Sequence, residues 1–249
     1  MVGGLPPTPR WAWVVMALSV VVLGALAYLI VNRPPPPGFT PSASAGTTAG
    51  GAETTAGPAA EDLRVLVVGD GTTAAPEGTV GWPQLVGEAM AVPGERTVEV
   101  QVAAADGSGY LVAPPDGATF TQLAEGAGGN WDVVVFAGSR NDNAAAPDVQ
   151  AAAQAAFDAA RAASPEADLL AVGPAWPTIP APGYVQTNRD AVSAAAEAAG
   201  IPFVDPIAGA WLTDPARIGP DGETPTQDGQ QFLADQLLPR LQELAPVGG

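Results

Sequence analysis

Histidine, cysteine and lysine are all absent from the 249 residues. Without cysteine there are no disulfides and no thiolate metal sites. Without histidine there is no imidazole to act as a base near neutral pH. Any metal would be left with oxygen ligands, which suit Ca²⁺ or Mg²⁺ rather than Zn²⁺, and no metal or other cofactor is expected. Without lysine, all 9 basic residues are arginine, against 26 acidic ones. Only Glu53 among the acids, and only Arg10 and Arg33 among the arginines, precede residue 61. The remainder holds 25 acids and 7 arginines, a net of −18. Such a surface repels nucleic acid, which is not an expected partner, and keeps a domain soluble. Arginine without lysine, among abundant Ala, Gly and Pro, suggests a high-GC genome of the actinobacterial kind.

Charge is also missing from Trp11 to Val31. At 1.5 Å per residue this run spans roughly 31 Å, about the thickness of a bilayer's hydrocarbon core. Trp11, Trp13 and Tyr28 stand near its ends, where amphipathic rings favour the membrane interface. A cleaved signal peptide is the competing reading, but its apolar region would be shorter, about 7–15 residues, with small residues just after it. Here Asn32-Arg33 and four prolines follow, and Ala43-Ser44-Ala45 lies far downstream. An uncleaved anchor at 11–31 is therefore expected, after a short cytoplasmic tail at 1–10. Arg10 and the amino terminus weakly favour an inside amino end and an extracytoplasmic, envelope-facing remainder.

Residues 32–61 read as a Pro-, Ser-, Thr- and Gly-rich linker, too poor in apolar residues to offset its ordering entropy. Its coil-like reach is roughly 30 Å. The threonine pairs at 47–48 and 54–55 are candidate glycosylation sites, though a plain spacer explains them as well.

From 62 to 249 short apolar runs alternate with helical stretches. Strands are predicted at 63–69, 97–103, 132–137, 168–172 and 201–204, and helices near 81–91, 147–163, 186–199 and 227–244. The runs barely alternate apolar with polar, as expected when both faces of a sheet are covered. Strands alternating with helices predict a three-layer α/β/α domain around a mostly parallel five-stranded sheet. Sites in such sheets form at the carboxyl ends of the strands.

Three segments sit at such positions, and a fourth lies just before the last predicted helix. They are Gly69-Asp70-Gly71-Thr72-Thr73, Ala105-Asp106-Gly107-Ser108-Gly109-Tyr110, Gly138-Ser139-Arg140-Asn141-Asp142 and Asp221-Gly222-Glu223-Thr224-Pro225. The last is followed by Gly229 and a leucine-rich helix. Taken singly, each could be a plain turn or cap. Together, in this order, they resemble the blocks of the SGNH/GDSL hydrolases, over residues 62 to 244.

That resemblance implies a flavodoxin-like sheet and an ester-hydrolysing ancestry. It implies a serine nucleophile where this chain has Gly71, and a histidine where it has Thr224. Asp221 matches the carboxylate that orients the histidine, and Asp70 the residue that orders the first turn. Gly109, with Gly107 as the alternative, and Asn141 match the oxyanion donors. The family's chemistry needs a hydroxyl deprotonated by an imidazole, so a degenerate, non-hydrolytic member is expected. Its partners would be an envelope glycan, an acylated ligand or a membrane protein. The alternative is an active esterase or acetylhydrolase working through Thr72, Thr73 or the carboxylates Asp70 and Asp221.

Overall fold

The computed structural model describes residues 61–138 and 140–246. The expected tail, span and most of the linker lie outside these. Among the described residues no helix is long and apolar enough to cross a membrane.

Strand β1 (Glu61–Gly69) opens the domain, so Glu61 belongs to the sheet rather than to the linker. A one-turn helix α1 (Gly71–Ala74) follows, then α2 (Trp82–Met90), β2 (Arg96–Ala104) and α3 (Phe120–Gly126). Next come β3 (Val133–Ala137), α4 (Ala146–Ala163), β4 (Asp168–Val172), α5 (Gly183–Ala199) and the two-residue β5 (Phe203–Val204). A 3₁₀ turn (Pro215–Arg217) precedes the last helix, α6 (Gln227–Leu244).

The strand order is β2-β1-β3-β4-β5, and every pairing is parallel. Consecutive side chains of a strand point to opposite faces, and both faces are covered. Leu66, Val68, Val134 and Phe136 pack under α3, α4 and α5, joined by Val149, Phe157 and Val192. Val65, Val67, Val133 and Val135 pack under α2 and α6, joined by Trp82, Val86, Leu233 and Leu237. Those two apolar sets explain the unalternating runs of the sequence.

All five strands end on one side of the sheet. Between β1 and β3 the chain direction of winding reverses, which opens a crevice above their carboxyl ends. Gly69-Asp70-Gly71 leaves β1 there, and the segment through Arg140 and Asn141 leaves β3 beside it.

Candidate functional site

Asp70 anchors the first turn. Its Oδ1 accepts the Thr72 N–H at 2.9 Å and caps α1. The side chain is buried. Burial pushes its carboxyl above the usual range, although the Arg140 charge and the Thr72 N–H pull the other way. Directly after it, Gly71 lies against the next loop. A Cβ on Gly71 would stand 2.5 Å from Asp106 Oδ1 and 3.1 Å from its Cγ. The Asp106 carboxylate therefore occupies the space that a side chain at 71 would need.

Asp221 organises the last block. Its Oδ1 accepts the N–H groups of Glu223 and Thr224, each at 3.0 Å, and its Oδ2 accepts the Thr224 hydroxyl. Hydrogen bonds to the charged form favour it. Those from the Thr224 hydroxyl and the two N–H groups hold this exposed carboxyl down to about 2, with a smaller contribution from Arg140. The expected pairing of Asp221 with residue 224 is present, but the partner is a hydroxyl.

Gly71, Asp106, Arg140, Asp221, Glu223 and Thr224 together line a depression of about 330 Å³. The Arg140 guanidinium reaches Glu223, with Nη1 3.3 Å from its carbonyl oxygen and Nη2 3.5 Å from Oε2. A second, smaller cavity of about 30 Å³ shares Thr72 with it and is walled by Asp70, Thr73, Trp82, Trp211 and Leu233 among others. No group of three or more acidic side chains among the described residues is arranged to hold a metal ion.

The two expected oxyanion donors stand elsewhere. The Gly109 N–H bonds Val112 O at 2.8 Å, within its own loop. A Cβ on Gly109 would meet the Asp142 carboxylate at 2.5 Å, so the close approach that requires glycine here is to Asp142. Asp142 is fully buried and accepts the N–H groups of Tyr110, Leu111 and Val112 at 2.9 to 3.1 Å. Asn141 Nδ2 donates to Ser108 O at 2.7 Å. Neither Gly109 nor Asn141 is among the residues lining the depression. Asn141 and Asp142 pin the loop after β2 to the loop after β3. Thr73 is buried against the smaller cavity, whereas Thr72 borders both.

Reading the sequence did not single out Asp106, Arg140 or Glu223 as site residues. Each lies inside a quoted block, and charge alone distinguishes it from its neighbours. Gln230 was also missed. It is buried on α6, where Oε1 accepts the Trp82 N–H at 2.9 Å and Nε2 donates to Thr72 O at 3.1 Å. Its signal was legible: a glutamine on the stripe that continues through Leu233, Leu237 and Leu241.

A profile of the GDSL-like lipase/acylhydrolase family covers residues 54–232. The chain belongs to this family. A GDSL lipase of Mycobacterium tuberculosis, Rv0518, is 40% identical over 187 residues, which span 71% of this chain and 80% of that protein. Among solved structures, TesA superposes with a TM-score of 0.61 at 24% identity, over 73% of this chain and 99% of its own. The native aryl esterase of M. smegmatis gives 0.58 at 16% identity, over 73% and 99%. At these identities the solved structures speak for the fold.

Proposed function

We propose that this GDSL-family domain is held at a membrane by residues 11–31 and works in the cell envelope by binding rather than hydrolysis. One observation carries the reading: where the family resemblance calls for a nucleophile, Gly71 offers no oxygen, and the Asp106 carboxylate fills the adjoining space. The absence of histidine removes the base as well. The Thr224 hydroxyl is turned onto Asp221 and has no affinity for a proton near neutral pH. Losing a single member of such a triad costs roughly 10⁴- to 10⁶-fold in rate. What persists is a polar depression at the carboxyl ends of the strands, of about 330 Å³. Ligand sites begin near that size. An envelope glycan, an acylated ligand or a protein partner are the candidate occupants.

A second reading has one observation in its favour: a relative of 40% identity is called a lipase. In that case a carboxylate would have to activate water in place of the triad. Turnover of p-nitrophenyl acetate by the full chain in detergent separates the two. The binding reading expects a rate no higher than that of the Asp221→Ala variant. Turnover that Asp221→Ala abolishes would establish the hydrolytic reading instead.

A further inference from the structure

We infer that the outer edge of β2 is a pairing surface for a second copy of this chain, joined antiparallel about a two-fold axis at Gln101. The pairing is independent of whether the depression binds or hydrolyses.

The two edges of the sheet are unequal. On one side β5 offers two residues, Phe203–Val204. On the other, β2 runs for nine, Arg96–Ala104, and pairs with β1 through all of them without a bulge. Long edge strands are normally blunted by proline, lysine, a bulge or a covering element. Strand β2 contains neither proline nor lysine. Its one charge beyond Arg96 is Glu99, which is drawn to Arg64. On the face above, α2 packs sideways onto α6, toward the middle of the sheet.

Backbone hydrogen bonds show which groups face out. The Ala105 N–H bonds Gly69 O at 3.3 Å, toward β1. The Arg96 N–H and carbonyl both bond Val92, on the far side, at 2.8 and 3.0 Å. Successive residues alternate between the two sides. Val98, Val100, Val102 and Ala104 therefore turn their N–H and C=O groups outward. None of these groups is hydrogen-bonded by a described residue. The three valines are only half-buried, whereas Val65 and Val67 beside them on β1 are buried.

Val92 sets the register. It already occupies the outer side of Arg96, so a copy of β2 must end before reaching it. An axis at Glu99 or Val100 would drive Val102 or Ala104 of the copy into Val92. An axis at Gln101 brings Asp106 of the copy opposite Arg96, past the end of its strand. The ladder then pairs Val98 with Ala104 and Val100 with Val102, each twice, for about eight N–H···O bonds. Moving the axis to Val102 loses a pair. Gln101 meets its own copy at a non-hydrogen-bonded position, with Cα atoms about 4.5 Å apart. Its amide carries both donor and acceptor, so two related amides satisfy each other. Glu99 lies opposite Ala103, which keeps the two carboxylates apart.

The chain contains no cysteine, so a single introduced thiol reports the contact. Gln101→Cys would set the two Cα atoms within the span of a disulfide, about 4.4–6.8 Å. Thr97→Cys is exposed on the same strand but would stand roughly 27 Å from its own copy. The experiment is oxidation of each variant, as the full chain in detergent, read as covalent dimer on a non-reducing gel. Gln101→Cys is expected to crosslink at least about tenfold faster than Thr97→Cys. Sedimentation of the unaltered chain in the same detergent is expected to give a dimer. Gln101→Glu sets like charges against each other from an exposed position. It is expected to weaken that dimer about three- to tenfold, with an unchanged melting temperature. A monomer at every concentration, equal crosslinking of the two cysteine variants, or a dimer indifferent to Gln101→Glu overturns the inference.

Discussion

Asp221 is exposed, yet its carboxyl sits well below the ordinary range because the Thr224 hydroxyl and the N–H groups of Glu223 and Thr224 prefer its charged form. The sign of the linkage follows. A carboxyl depressed to about 2 in the folded chain supports its turn at every pH above the usual carboxylate value, and that support is lost as pH falls through the folded value. A carboxyl-detected NMR titration is expected to place the Asp221 midpoint near 2, with the Glu223 and Thr224 amide resonances moving together with it. A midpoint near 4 would mean that the three hydrogen bonds do not persist in solution. The same turn keeps the Thr224 hydroxyl aimed at Asp221. Asp142 plays the corresponding part for the loop after β2, where one buried carboxylate takes three consecutive backbone N–H groups.

Gln230 fastens helix α6 to the site. Gln230 joins the Trp82 N–H to the Thr72 carbonyl, so α6 fixes both the start of α2 and the end of the first turn. Gln230→Leu leaves both backbone groups without a partner in a buried setting. An unsatisfied buried group costs about 1–3 kcal/mol, so a loss of about 2–4 kcal/mol is expected in urea unfolding. A change below about 1 kcal/mol would mean that water replaces the glutamine.

Elements were legible in the sequence where apolar runs were long. Strands β1 to β4 and helices α2, α4, α5 and α6 fall within three residues of their predicted bounds. The exceptions have local causes. Strand β5 was expected at 201–204 but holds only Phe203–Val204. Gly200 ends α5 in a left-handed conformation, and the Ile201 N–H returns to Ala196 O at 2.8 Å. Ile201 thus closes the helix and packs on its side of the sheet. Helix α3 was not foreseen, because seven residues among Gly and Pro carry little periodicity. Its signature was present nonetheless in the capping box of Thr119 and Gln122. The four blocks revealed which loops meet. They could not reveal that the Gly109 N–H turns inward, since that depends on the Val112 carbonyl and the Asp142 carboxylate closing the same loop.

At the scale of the whole molecule, the chain enters the domain through Glu61 at the amino end of β1, and the depression opens above the carboxyl ends of the strands. Glu61 and the site thus occupy opposite ends of the sheet. Deleting residues 1–60 is expected to move the protein from the membrane fraction to the soluble fraction in cells. It is also expected to leave its melting temperature within about 2 °C, because each buried cluster is built from residues beyond 62. Continued sedimentation with membranes would show that something other than the 11–31 segment holds it there.

The place of β1 within the sheet has a mechanical consequence. It is not an edge strand: it pairs with β2 from Glu61 to Gly69 on one side and with β3 from Val65 to Gly69 on the other. A pull on the amino end of β1 against its two held neighbours runs along that strand. It loads both hydrogen-bond ladders in shear, all rungs together, instead of peeling them one at a time. The domain would thus resist a load applied at Glu61 most strongly along the strand direction.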